Sequence, residues 1–411
     1  MNNLNVQTTT TNLSGNNLTP EMKTYYDRAL IRFASPKLVH AQFGQQKPIP
    51  AGSGKTIEFR RFSPLPKALT PLTEGVTPKG NTLNVTTVES TVEQYGDYVT
   101  MSDMLTLSSV DAVISETQNV LGDQAGRTLD TVIREKVNAG TNVQYGNGKA
   151  DRNLLVGGKD AYEENDYLNV AAVKRAVATL KRNNATPFKD GCYVAIIHPD
   201  VANDLTNDPE WKAVKQNVDP EDWYKGVIGK IHGVVFVEST EAKVFRAGYL
   251  RNPETLTKGD PEILTVAGVD GSTITLREEL TEEDVAYING KKIQIQGFDY
   301  AITGAAAGEA GSATITLAEA PDASVTPDSV IYPAGAGAEG RDIYSTLFLG
   351  QNAYGVTSIT GGGLTTILKQ KGSAGTGDPL DQRSTVGWKA TQTAEILSPE
   401  FMVRVETTCS Y

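Results

Sequence analysis

Cysteine, histidine and tryptophan are scarce in this 411-residue chain, with two Cys, three His and three Trp. Cys192 lies in the apolar run GCYVAII and Cys409 is the third residue from the end. They form neither a CxxC pair nor a disulfide ladder, which excludes a disulfide-stapled scaffold and fits folding in a reducing cytoplasm. No HExxH pattern exists, so the commonest zinc-hydrolase signature is missing. No apolar run reaches the roughly 18 residues of a spanning helix. Met1–Thr11 (MNNLNVQTTTT) has no basic or apolar segment of the signal-peptide kind, so membrane insertion and signal-directed secretion are not expected. Lys and Arg never run longer than two, and 49 acidic residues against 38 basic ones leave a net charge of −11. Counterion release from a basic stripe supplies most affinity for nucleic-acid phosphates, so direct genome or ribosome binding is disfavoured.

What is present is a chain too long for one core, since single cores stop growing at roughly 250–300 residues. Residues 1–19, rich in Asn and Thr, read as an extended arm; Thr19 and Pro20 then cap a short amphipathic helix running to about Gln42 and broken near Pro36. KTIEFRRF (55–62) and NVTTVESTVEQYGDYVT (84–100) are β-branched, partly alternating strands. Between them, Pro64, Pro66, Pro71, Pro78, Gly75 and Gly80 forbid a helix and suit a long exposed hairpin excursion. Its Leu65, Leu69, Leu72 and Val76 are too dispersed to form a core of their own, and are expected to pack on a neighbouring subunit.

The strongest helical pattern runs from Ser109 to Ala139, with Val113, Leu121, Ala125, Leu129, Val132, Ile133 and Val137 among its stripe and Gly140 as its stop. At 1.5 Å per residue it is on the order of 45 Å long. A second helix (166–183), the strand CYVAIIH, a helix opened by HPDVANDL and the strand HGVVFVEST imply an α/β lobe. From about Phe245 to Gly340 the pattern becomes short strands, with hairpins expected at Asp270-Gly271 and Asn289-Gly290, which implies an all-β insert. DIYSTLFLG resumes the α/β pattern, and WKATQTAEIL and FMVRVETT are two final strands linked through Ser398-Pro399.

Three motifs invite chemistry. AGSGKT (51–56) resembles a phosphate loop, but Ile49 stands where the first Gly belongs, prolines precede it and a strand pattern follows, so a turn into a strand is expected. His198 with Asp200 in IIHPD has no nucleophile motif for company, and reads as a turn histidine whose ring caps local backbone. REELTEED (277–284) lacks the ligand spacing of a calcium loop and reads as a solvated turn. No catalytic residue, cofactor or metal site is expected.

The order of segments resembles the major capsid protein of tailed bacteriophages, the coat fold of phage Hong Kong ninety-seven, and looks closest to the coliphage N-four major capsid family. GSGKTIEFRRF, LTEGVTP, YGDYVTMSD, HPDVANDL, VVFVEST, YSTLFLGQNAYG and DPLDQRSTVGWKATQTAEIL carry the resemblance, which spans residue 50 to the C-terminus apart from the insert. It implies an α+β fold with an N-terminal arm and short helix (1–50), an extended loop (51–100) and a peripheral domain with a spine helix (101–164). An axial domain (165–244 and 341–390), an all-β insertion domain (245–340) and C-terminal strands returning to the peripheral domain (391–411) complete it.

The resemblance also implies function: a non-enzymatic shell subunit, assembled in the host bacterial cytoplasm as pentamers and hexamers into the icosahedral capsid around double-stranded DNA. Portal protein, and scaffolding or decoration proteins, are the implied partners, without sequence-specific DNA contact or membrane. A motor fills such shells, so an acidic coat is compatible with an interior that does not grip the genome. The alternatives are a β-rich surface or adhesin protein, and a nucleotide-binding enzyme using AGSGKT.

Overall fold

The computed structural model describes residues 38–62, 65, 67–72, 74–77, 80–108, 113–158, 165–188, 191–215, 229–246, 250–251, 264–335, 337–373 and 380–410. The expected arm at 1–19 and the body of the helix after Pro20 lie outside them. The architecture is α+β, and the chain divides into two units: residues 1–140 with 351–401, and 141–350 with 402–411. The expected peripheral and axial stretches differ from this division, because 141–164 joins the second unit and 351–390 the first.

In the first unit the spine helix Val113–Asn138 packs on a five-stranded sheet built around the 14-residue strand Arg383–Ile396. One edge of that strand pairs antiparallel with Glu93–Ser102; the other pairs with Thr365–Lys369 and then with Tyr354–Thr357. Leu121, Ala125 and Leu129, one turn apart, meet Met101, Val386, Trp388 and Ala390 in a common core. Trp388 Nε1 donates to Gln124 Oε1 (3.1 Å), and Gln124 Nε2 donates to Asp97 Oδ2 (2.6 Å), so one polar residue of the helix ties both strands. Val120 falls off the stripe and is 68% exposed.

The sequence gives no hint of the contact that fixes the start of the described chain. His40 and Asp130 are both buried, with Nδ1 and Oδ2 2.6 Å apart, and the His40 amide donates to Oδ1 at 2.8 Å. The Tyr354 hydroxyl donates to the His40 carbonyl. Burial, with the Asp130 charge beside it, pushes the Tyr354 phenol far above its ordinary range. This buried cluster leads into Gln45–Gln46, which pair in parallel with Gly355 and Val356.

The expected strand 84–100 is two strands. Val85–Thr91 pairs with Thr56–Phe62, whereas Glu93–Ser102 pairs with Arg383–Ile396. Val92 is the joint, its side chain buried and its amide bonded to the Lys55 carbonyl at 2.8 Å. Alternation alone could not reveal the break, because both halves are β-branched and the change of partner is a tertiary event.

The second unit holds a seven-stranded sheet in the order Val143–Tyr145, Met402–Thr407, Ile343–Leu349, Tyr193–Ile197, Val234–Glu238 and Lys230–Ile231, with Val244–Phe245 also pairing Ile343–Leu349. Ile343–Leu349 and Tyr193–Ile197 are buried throughout, which explains their unbroken apolar runs. Asn169 caps the helix Val170–Arg182, accepting the Ala172 amide at 2.8 Å; the helix buries Val173, Ala176, Val177 and Leu180. Met402–Thr407 pairs here along its whole length with Ile343–Leu349. The expected return of the entire stretch 391–411 to the peripheral domain is therefore corrected: the chain changes units after Phe401.

Between Phe245 and Ile343, which are themselves paired, the chain builds a closed barrel. Its strands, in barrel order, are Leu264–Asp270, Thr273–Leu276, Thr314–Leu317, Phe298–Ala306, Lys292–Ile295 and Val330–Pro333. Closure leaves no unpaired edge. Ile274, Leu276, Ile293, Ile295, Ile302, Ile315, Leu317 and Ile331 fill the interior, and Leu250, Leu280 and Ile288 pack against it. The Asp270-Gly271 hairpin forms as expected, with Gly271 at φ +60° in its two-residue turn.

Asn289-Gly290 does not make a hairpin. VAYI belongs to the helix Glu282–Ile288, and Asn289 and Gly290 end it. The hairpin lies one strand later, at Gln296-Gly297, both residues with positive φ. REELTEED is likewise not a wholly solvated turn: Thr281 and Asp284 form a reciprocal capping box. Asp284, 1% exposed, accepts from Arg251 Nη2 at 3.1 Å.

Candidate assembly surface

The hairpin Thr56–Phe62 with Val85–Thr91 has seven cross-strand pairs and nothing beyond them but its loop. Strand alternation sends Ile57 and Phe59 to one face, where they pack with Ile49, Val92 and Leu397 at the hairpin base. Glu58 and Arg60 point outward. Arg61 Nη2 meets Glu400 Oε2 at 2.5 Å, and Lys47 Nζ reaches the Glu58 carbonyl at 3.2 Å, so the base is tied to two other segments of its unit.

Past Phe62 this packing stops. The four loop residues singled out in the sequence stand open in the single subunit: Leu65 is 50% exposed, Leu69 82%, Leu72 77% and Val76 63%. Among the described residues, none of the four belongs to a core cluster. Single exposed apolar residues are ordinary on protein surfaces, whereas four on one loop make that loop a candidate interaction site.

A second exposed apolar group, missed from sequence, lies at the far end of the long strand pair. Arg383 pairs with Ser102, and the Asp103 amide donates to the Gln382 carbonyl at 2.9 Å. That register brings the helix Asp103–Ser108, with Met104 and Leu105 exposed, to the same end as exposed Leu380. Tyr98, 68% exposed, stands further along the same strand. Asp97 beside it is held below the usual carboxylate range by the hydrogen bond from Gln124 and then by the Tyr98 amide. The motif YGDYVTMSD contains Asp97 and Tyr98 and stops just before Met104, yet a strand pattern does not say which face stays bare.

The motifs that suggested chemistry resolve locally. AGSGKT is a turn, with the Ser53 amide bonded to the Pro50 carbonyl, and Thr56 opens a strand instead of the helix a phosphate loop requires. His198 caps the helix Pro199–Asn207, its Nδ1 accepting the Asp200 amide at 3.3 Å. Burial pushes its imidazole below the ordinary value, Asp200 opposes that, and Arg246 adds to it. Among the described residues no group of three His, Cys, Asp or Glu side chains is placed to hold a metal ion, and no helix is long and apolar enough to cross a membrane.

No curated protein matches the chain by sequence. Among solved structures, the capsid of Ralstonia phage GP4 is similar at TM-score 0.51 and 14% identity, over 90% of this chain and 88% of that one. The capsid of cyanophage P-SCSP1u is similar at TM-score 0.50 and 11% identity, over 91% and 89%. At such identities the likeness is one of fold. The family model described as phage capsid protein matches residues 85–315. That match runs from the inner hairpin strand through the spine helix into the barrel, so the insert is not outside the family pattern. It takes in more than half of the chain, and the chain therefore belongs to the phage capsid protein family.

Proposed function

We propose that this protein is a major capsid protein whose copies assemble as pentamers and hexamers into an icosahedral shell around double-stranded phage DNA. Shell formation follows from the family; the capsomer types, the genome and the contacts are the finer reading. The observation that carries it is the coreless hairpin loop, with Leu65, Leu69, Leu72 and Val76 at 50% exposure or more. Covering a large apolar side chain is worth roughly 1.5–3 kcal/mol, and a repeated contact multiplies that over many copies. In this reading the loop lies on a neighbouring subunit and the anchored hairpin base fixes its direction. Portal, scaffolding or decoration proteins would meet other faces of the shell. The net charge of −11 suits an interior that encloses DNA without gripping it.

Electron microscopy and sedimentation of the protein lacking residues 65–79 test this. The deletion is expected to leave a folded subunit that makes no closed particles. Normal icosahedral particles from the deletion protein would overturn the role given to the loop.

A further inference from the structure

The strand Glu93–Ser102 of the first unit pairs along one edge with Arg383–Ile396, and among the described residues no strand pairs with its other edge. The hydrogen-bond phase shows which backbone groups stand open. The Asp103 amide donates to the Gln382 carbonyl at 2.9 Å, which makes 103 and 382 a hydrogen-bonded pair. The register, from Ser102 with Arg383 to Glu93 with Gln392, then alternates. Tyr95, Asp97, Val99 and Met101 turn their N–H and C=O groups to Arg383–Ile396, whereas Gln94, Gly96, Tyr98 and Thr100 turn theirs to the open edge. Thr391, opposite Gln94, has the matching phase: its amide donates away from this pair, to the Gly362 carbonyl at 2.7 Å.

We propose that in the assembled shell this edge takes up residues 4–11 of a second copy's N-terminal arm as an added β-strand. The inference rests on the reading that copies assemble, and it names a backbone contact that the exposed loop does not supply.

The edge is guarded at its middle. Asp97 Oδ1 accepts the Tyr98 amide at 2.8 Å, so a side chain occupies the donor a stray strand would seek. Oδ2 accepts from Gln124 Nε2 at 2.6 Å, which holds the carboxylate in place. Charges and local caps are the devices by which an open edge avoids unwanted pairing. A strand covered at all times by its own chain would need no such guard, which favours a partner that arrives with assembly.

The arm matches the edge in place, length and charge. Residues 1–37 precede the first described residue, Leu38, which packs on the core that also takes in Tyr95, Met101 and Trp388. The arm therefore starts beside this sheet. Extended at about 3.3 Å per residue, residues 1–19 span about 60 Å, twice the roughly 33 Å of a ten-residue strand. Residues 1–20 contain no Asp, Glu, Lys or Arg, while Glu93–Ser102 carries Glu93 and Asp97 and no basic residue. An acidic segment would be repelled there and the arm is not. Its Val6 and Thr8 to Thr11 are β-branched, as a strand favours. The segment 4–11 is largely polar, which suits an edge where Tyr98 on one face is 68% exposed and Val99 on the other is 41% exposed. The Pro-rich loop is unsuited to this place, because Pro64, Pro66, Pro71 and Pro78 cannot donate to a ladder.

Two measurements on the full chain test the pairing. In free subunits the amides of Gln94, Gly96 and Thr100 should exchange freely with deuterium, and should slow about tenfold when a synthetic peptide of residues 1–19 is added at about 1 mM. The same peptide with Val6→Pro and Thr9→Pro should leave them unchanged. Asp97→Ala, which opens the Tyr98 amide, should tighten the peptide about fivefold. In the second measurement, particles are assembled from a mixture of one chain carrying Val99→Cys and another carrying a single cysteine at successive positions from 4 to 11. Disulfide-linked dimers should form at alternate arm positions, and only in particles. Protection already present without peptide would assign the edge to the chain's own arm and overturn the proposal. A peptide that protects nothing, weaker binding to Asp97→Ala, or particles without the links would overturn it as well. If no particles form, the shell reading fails and the peptide result alone decides the edge.

Discussion

Two long excursions leave the sheets of this protein, and they end differently. The barrel departs at Phe245 and returns at its direct partner Ile343; in between, six strands close on each other around their own apolar interior. The hairpin departs at Thr56 and returns at Thr91, yet it stays two strands wide, and its loop leaves leucines at up to 82% exposure. A two-stranded ribbon is marginal in water unless something covers it, whereas a closed barrel satisfies its backbone and side chains internally. One excursion is complete within a single chain; the other leaves its apolar side chains open there, and in the proposed function a neighbouring copy covers them.

The largest effect should come from poisoning the open loop. Leu69→Asp combined with Leu72→Asp places charges where a neighbour's apolar surface is expected, and should abolish particles in electron micrographs while the isolated subunit melts as before. Next is the contact that ties Arg251 into the barrel. Asp284→Ala leaves a buried guanidinium without its carboxylate, at a cost of about 3–5 kcal/mol, to be read as a lowered urea midpoint. Removing buried volume is smaller: Ile274→Ala should cost about 2–5 kcal/mol. Leu69→Ala in the unassembled subunit should stay within about 0.5 kcal/mol, and equal losses for the two would break the comparison.

The smallest effect is a pH dependence beside the point where the barrel joins its sheet. The His198 imidazole is held below its ordinary value of 6.5, first by burial. The unfolded chain therefore binds its proton more readily, and stability rises with pH through this window. The contribution is fully present above 6.5 and is lost as pH falls through the folded value; the imidazolium also cannot accept the Asp200 amide. Asp200, Arg246 and Tyr344 are the neighbouring titratable groups, with the Tyr344 hydroxyl donating to Asp200 Oδ2 at 3.0 Å. Melting curves from about pH 5 to 7.5 should show this slope in the wild type and a flatter one in His198→Asn, which keeps a capping side chain.

Local rules made much of this legible. The spine helix, the Pro-rich excursion, the buried strands around Ile196 and Phe348, and the Asp270-Gly271 hairpin all follow from periodicity and turn chemistry. Thr281-Glu-Glu-Asp284 was a helix start visible in the sequence, but VAYI fits either a strand or a helix, and Asn289-Gly290 ends helices as readily as it turns hairpins. Gln296 seldom adopts positive φ, so its hairpin gave no signal. The split at Val92, the His40–Asp130 pair and the departure of Met402–Thr407 to a different sheet depend on partners remote in the chain, which no local pattern encodes. The exposure of Leu65, Leu69, Leu72 and Val76 was legible because prolines bar a core there. Tyr98, Met104 and Leu380 were not, because their exposure depends on which strand face the spine helix covers.

Hydrogen exchange compared between free subunits and assembled particles tests the central claim most directly. Amides around Leu69 and Leu72 should exchange freely in the subunit and become protected in the shell, while those of Ile274 and Ile315 in the barrel are protected in both. A loop that is equally protected in the free subunit, or equally unprotected in the shell, would contradict the view that a second copy completes it.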